Sequence, residues 1–308
     1  MEPREIRIGH SPDPDDAFMF YALTHGKLDT AGLTFTHVIK DIESLNHLAV
    51  EGELEVTALS VHAYGYVMDK YALLASGGSF GDKCGPIVVA RKPMDVGELA
   101  DDRIAVPGTM TSAYLLLKLL LMNFKFEVVP FDKIMDVVKA GEVDAGLLIH
   151  EGQLTYEKMG LHKIVDLGEW WYADTGLPVP LGVNGVRKDL GKQLMQKISE
   201  LLTASIRYAL DHREEAVAYA REFGRGMDAA TTDRFVGMYV NPLTLDMGPK
   251  GREAIARLLT RAYHAALVPR PVNLEFVESW RAAGNEGRGA QNEAGEFPSN
   301  GRCCSYSS

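Results

Sequence analysis

The chain has 308 residues, 46% hydrophobic and 24% charged, with 30 Gly, 14 Pro and 3 Cys. That composition excludes collagen-like, disordered and disulfide-scaffold classes, and the length suits one large or two medium globular domains. The formal charge of −10, from 42 acidic and 32 basic residues, repels a phosphate backbone, and no basic patch offsets it; no nucleic-acid partner is expected.

In chain order, residues 4–9 read as a strand, followed by a helix through His25. A strand at 33–38 and a helix at 42–50 come next, then a strand at 55–60 and a helix at 60–70. Strands at 73–76 and 86–91 follow. A second set opens at 103–107, with a helix at 112–123, a strand at 127–130, a helix at 133–140 and a strand at 144–150. Beyond Trp170-Trp171-Tyr172 lie a strand at 181–187 and four helical patterns, at 189–210, 214–223, 229–240 and 250–267. Alternation of this kind predicts an α/β protein on mainly parallel sheets.

The strand–helix pattern restarts near 91–103, and the helix-rich end reads as a return to the first lobe. The expected organisation is one lobe of 1–91 with 183–283 and a second, inserted, of 92–182, with a ligand cleft between them. Residues 284–308 contain too few apolar side chains to offset their ordering entropy and are expected to be a disordered tail. The N-terminus lacks a basic segment followed by an apolar stretch, and the most apolar run, 113–122, is short and broken by Lys118. No secretory signal, no membrane span and a cytoplasmic location are therefore expected. Cys84 is the single cysteine of residues 1–283, which excludes an internal disulfide or a cysteine zinc site there.

Three strand-to-helix turns carry candidate ligand groups, at the carboxyl ends where α/β proteins bind ligands. In Ser11-Pro12-Asp13-Pro14-Asp15-Asp16, Asp13 reads as a helix cap with Pro14 at the first helical position, and Ser11 as a cleft residue. Ala58-Leu59-Ser60 enters a helix in the first lobe. Gly108-Thr109-Met110-Thr111-Ser112-Ala113 does so in the second, where helix amides and hydroxyls can hold a carboxylate or phosphate. His150 ends an apolar strand beside Glu151, and its unperturbed pKa suits proton transfer near neutrality. Trp170 and Trp171 fit either core positions or a stacking wall. No second His follows at the zincin spacing, Gly224-Arg225-Gly226 follows a helix rather than a strand, and no phosphate loop or nucleophile elbow is present. No metal or cofactor is expected.

Five segments, taken together, resemble the 1,4-dihydroxy-6-naphthoate synthase family of the futalosine route to menaquinone. They are His10-Ser11-Pro12-Asp13-Pro14-Asp15-Asp16 through Leu23, Asp41 to Asn46, Val106-Pro107-Gly108 with Thr111 to Tyr114, Gly146 to Glu151, and Gly168-Glu169-Trp170-Trp171 with Thr175 to Gly182. The resemblance implies a periplasmic-binding-protein-like type II fold: two α/β lobes, a central cleft and hinge strands. It also implies a carbon–carbon lyase that converts cyclic de-hypoxanthine futalosine to 1,4-dihydroxy-6-naphthoate without a known metal or organic cofactor. The family's active-site histidine corresponds to His150, acting as proton acceptor. Its substrate-contacting segments correspond to Ala58, Leu59 and Ser60 and to Thr111, Ser112 and Ala113, with Asn46 on the cleft wall. The implied partner is a small anionic aromatic substrate. Two other readings share the fold: a cytosolic solute-binding protein for a small carboxylate, and the chorismate dehydratase of the same pathway.

Overall fold

The computed structural model describes residues 4–279. The 284–308 tail, expected to be disordered, and the last positions assigned to the first lobe, 280–283, lie outside the described residues. In chain order the elements begin with β1 (Arg4–His10), α1 (Pro14–Thr24), β2 (Leu33–Ile39), α2 (Ile42–Glu51), β3 (Val56–Ser60), α3 (Val61–Val67), β4 (Tyr71–Leu74) and β5 (Ser79–Gly81). The middle of the chain supplies β6 (Ile87–Ala90), β7 (Arg103–Val106), α4 (Ser112–Leu121), β8 (Lys125–Val128), α5 (Ile134–Ala140), β9 (Ala145–Leu148), α6 (Gly152–Thr155), β10 (His162–Asp166) and α7 (Leu167–Thr175). The remainder comprises β11 (Val179–Arg187), α8 (Lys192–Asp211), α9 (Arg213–Ala220), α10 (Ala229–Tyr239), α11 (Pro242–Leu245), α12 (Gly248–His264) and β12 (Phe276–Val277).

The strands form two sheets. One has the order β12-β4-β11-β3-β1-β2, with β5 also paired to β11; the other runs β10-β6-β9-β7-β8. In the first, β1 is parallel to β2 and β3, with Ile6 opposite Phe35 and Ile8 opposite Val56, while β11 runs antiparallel to β3. In the second, β7 is parallel to β8 and β9, and β6 is antiparallel to β9 and β10. The chain passes between sheets at 81–87 and again at 166–179. The strand expected at 86–91 was grouped with the first lobe, but β6 belongs to the second sheet, because its partners β9 and β10 come later in the chain.

Burial explains why the elements settle there. Helix α1 is buried almost all round, packed by α8, α9 and α10, so it has no polar face. Helix α8 buries Met195, Ile198, Leu202, Ile206 and Ala209, spaced three or four apart, against Ile6, Ile8, Phe18 and Val56. Each fully buried Leu or Ile contributes about 1.5–3 kcal/mol. A single apolar cluster runs through both sheets, from Leu59, Tyr64 and Leu73 to Val106, Leu115, Leu147 and Trp171. Cys84 is buried. Among the described residues no helix is long and apolar enough to cross a membrane.

Candidate active site

A cleft lies between the sheets at the carboxyl ends of β1, β3, β7 and β9. It is lined by Ser11, Asp13, Ala58, Leu59, Ser60, Thr111, Ser112, Ala113 and His150, so eight of the nine expected site residues and Asp13 share one space. Asn46 is the exception. It is completely buried behind the wall, where its Oδ1 accepts from the Ser60 N–H at 2.9 Å and its Nδ2 donates to Ser60 Oγ at 3.0 Å. Asn46 therefore holds Ser60 in place rather than facing a ligand.

His150 follows β9 by two residues and is 7% exposed. Its Nδ1 lies 3.0 Å from Asp13 Oδ1, and its ring packs against Phe131 at 3.9 Å between centroids, tilted by 55°. Its Nε2 is buried and has no hydrogen-bond partner among the described residues; Asn184 Oδ1, also on the cleft wall, has none either. Both residues line the cleft.

The role expected of Asp13 needs correction. It stands at the cap position of α1, but its side chain makes no capping hydrogen bond. The carboxylate instead accepts from Ser11 Oγ at 2.7 Å through Oδ2 and meets His150 and Arg225 through Oδ1. Burial alone would raise the Asp13 pKa, but the charges and hydrogen bonds of His150, then Arg225 and Ser11, outweigh it and hold the pKa at about 2. Asp16 takes the backbone role, accepting from the Ser11 N–H at 2.7 Å; burial, with Asp13 adding, lifts its pKa to about 6. Asp15, beside Ser79, is raised well above the usual carboxylate range by burial and then by Asp16 and Asp13.

The turn before α4 also differs from expectation. The amides of Thr109 and Met110 are already taken by Glu43 of α2, at 2.8 and 3.1 Å, and Thr111 Oγ1 caps the Tyr114 N–H. Gly108, at φ 155°, lets Glu43 approach: a Cβ there would stand 2.2 Å from Glu43 Cδ. Ser112 Oγ donates to the Leu181 carbonyl. What this helix start still presents to the cleft is its first turn at Ser112 and Ala113, whose amides have no intrahelical partner.

Neither Trp170 nor Trp171 lines the cleft: Trp170 is half-buried and packs against the core, and Trp171 is fully buried, donating from Nε1 to the Pro178 carbonyl at 3.2 Å. Sequence reasoning missed Arg225, which crosses the cleft mouth from the loop before α10. It ion-pairs Glu151 at 2.9 Å and Asp13 at 3.3 Å. It missed Tyr239 as well, whose hydroxyl donates to Gln153 Oε1 at 2.8 Å. The flanking glycines of Arg225 were its one local signal. Asp13, His150 and Glu151 place possible metal-ligand atoms within 4.8 Å of one another, but the Arg225 guanidinium already supplies the positive charge between the two carboxylates.

Two sheets facing each other across a cleft, with the polar groups at the strand ends, define a periplasmic-binding-protein-like fold. The alkanesulfonate-binding protein SsuA of Xanthomonas axonopodis pv. citri, bound to MOPS, matches it with a TM-score of 0.68 at 13% identity, over 88% of this chain and 96% of that one. A solved protein of Archaeoglobus fulgidus is much nearer, at TM-score 0.83 and 46% identity over 86% of this chain and 98% of that one. A family model described as menaquinone biosynthesis matches residues 6–264. Two relatives are named 1,4-dihydroxy-6-naphthoate synthase. That of Thermus thermophilus is 44% identical over 270 residues, 87% of this chain and 98% of its own length. That of Streptomyces coelicolor is 40% identical over 278 residues, 87% and 96%. The chain belongs to the 1,4-dihydroxy-6-naphthoate synthase family of menaquinone-biosynthesis enzymes.

Proposed function

We propose that the chain cleaves a carbon–carbon bond of cyclic de-hypoxanthine futalosine, releasing 1,4-dihydroxy-6-naphthoate, and that His150 Nε2 accepts the proton that starts the cleavage. One observation carries the assignment of the base: Nδ1 is held by an ionised Asp13 while Nε2 has no partner among the described residues. With its proton kept at Nδ1 by the carboxylate, the ring presents a lone pair at Nε2. The imidazolium formed on proton transfer lies against the same carboxylate, which lowers the barrier.

The substrate joins an aromatic carboxylate to a sugar-derived ring. Its anionic end finds a positive partial charge at the first-turn amides of α4, Ser112 and Ala113, which compensates for the overall negative field. The Ser60 hydroxyl and the Asn184 Oδ1 atom are placed to meet hydroxyls of the sugar-derived part. The electron pair left by the proton breaks the carbon–carbon bond to the sugar-derived part, which leaves as the second product, and aromatisation of the released naphthoate drives the step forward. Closure of the two lobes excludes water from the carbanionic intermediate. The reaction belongs in the cytoplasm, on a small-molecule substrate.

The likeness to solute-binding proteins at 13% identity is one of fold alone, and the named relatives favour the synthase over the chorismate dehydratase. Incubating the purified chain with cyclic de-hypoxanthine futalosine and, separately, with chorismate tests the choice by chromatography of the products. Naphthoate from the first and unchanged chorismate from the second is the expected result. Dehydrated chorismate, or full recovery of both compounds, would overturn it.

A further inference from the structure

The geometry points to Arg225 as a positioning residue: its guanidinium pins the two sides of the cleft together and fixes Asp13, and through Asp13 the His150 ring. This rests on the reading of His150 as proton acceptor. Arg225 comes from the loop between α9 and α10, on the side of the first sheet. Its Nη1 donates to Glu151 Oε2 at 2.9 Å, on the side of the second sheet, and to Asp13 Oδ1 at 3.3 Å. Its Nη2 donates to the Pro12 carbonyl at 3.2 Å and again to Asp13 Oδ1 at 3.4 Å. The guanidinium carbon lies 4.6 Å from the centre of the Phe131 ring, which also packs against His150 at 3.9 Å with the rings tilted by 55°, so Arg225, Phe131 and His150 form one contact group.

Three features fit a designed contact better than a chance surface pair. The Arg225 side chain is 28% exposed and its carboxylate partners only 11% and 16%, so solvent screens the pair weakly. The backbone holds Arg225 at φ 46°, a conformation non-glycine residues seldom adopt, and Gly226 follows at φ 91°. The oxygen it contacts on Asp13 is the one that meets His150 Nδ1. Without Arg225, the Asp13 and Glu151 carboxylates would face each other with no guanidinium between them, and their repulsion would push the cleft edges apart.

The test compares wild type with Arg225→Gln, Arg225→Lys and Glu151→Gln, each checked for its unfolding midpoint. Turnover against substrate concentration is measured, and small-angle scattering is recorded without substrate. Folded Arg225→Gln is expected to lose about 10- to 100-fold in kcat, the range typical of residues that orient a functional ligand, with a smaller change in KM. Its radius of gyration is expected to exceed that of wild type, and Arg225→Lys to recover part of both. Glu151→Gln, which removes only the far anchor, is expected to open the cleft with a smaller loss of kcat. Should Arg225→Gln not fold, Glu151→Gln decides the matter by the same two readouts. Wild-type kcat and scattering in the folded variants would overturn the proposal. Near-normal turnover of His150→Ala would instead sink the catalytic reading and leave the scattering comparison standing.

Discussion

Replacing Asp13 by Asn removes a charge while keeping the shape of the side chain, and so isolates what the carboxylate does for His150. The two groups are 3.0 Å apart and both are nearly buried. When His150 takes up a proton, unit charges about 4 Å apart at an effective dielectric constant of about 20 attract by about 4 kcal/mol. The asparagine carbonyl keeps part of this as a dipole, leaving a loss of about 3–4 kcal/mol in the transition state, or about 10²- to 10³-fold in kcat. If the amide turns its NH₂ towards the ring, the imidazole proton moves to Nε2 and the base is lost altogether. Initial rates of naphthoate formation over a range of substrate concentrations measure the effect, with KM expected to stay within about threefold because Asp13 acts on the proton-transfer step. A folded Asp13→Asn enzyme with kcat within about fivefold of wild type would refute the reasoning.

Three further expectations concern the surrounding frame. Burial has moved the Asp16 pKa from 3.8 to about 6, so the fold favours the protonated acid, and its ionisation costs about 3 kcal/mol above that pH. Asp16→Asn should therefore exceed wild type in stability by about 3 kcal/mol at pH 8, the gain shrinking as pH falls through 6 and vanishing below 3.8. Urea unfolding at several pH values checks this, and a pH-independent difference would contradict it. Asn46→Ala leaves the Ser60 N–H buried without its acceptor, for a cost of about 1–3 kcal/mol. KM should rise several-fold and kcat change less; unchanged KM would show that Ser60 needs no such support. Trp171→Ala empties a fully buried core position for about 3–5 kcal/mol, while kcat measured well below the new midpoint stays within about threefold. A large loss of kcat in the folded variant would assign the indole to the cleft.

The alternation of strands and helices was readable because burial imposes it locally. β1 alternates buried Ile6 and Ile8 with polar residues, β3 and β7 are short, mostly apolar runs, and α8 repeats its apolar residues every three or four positions. Sheet membership was less accessible. β6 is an apolar run that could join either sheet, and only its antiparallel partners β9 and β10 decide. β10, half-exposed at a sheet edge, and α7 were not anticipated, although Asp166 caps α7 by accepting from the Gly168 and Glu169 amides. At the site, Ser11, Ser60, Thr111 and His150 could be placed because each ends a strand or opens a helix. Asp13 was misread because a cap and a partner for a distant histidine look alike in sequence. Arg225 meets Asp13 across 212 positions and Glu151 across 74, contacts that no local pattern encodes.

The central claim, that His150 Nε2 accepts the proton, is tested most directly by single-turnover formation of naphthoate by His150→Gln. Glutamine fills much of the same space but offers no titratable nitrogen. The variant is expected to fold with an unfolding midpoint near that of wild type and to bind substrate with KM within a few-fold. Its rate should fall by about 10²- to 10⁴-fold, the usual contribution of a positioned general base. A folded His150→Gln enzyme that forms naphthoate within about tenfold of the wild-type rate would place the base elsewhere in the cleft.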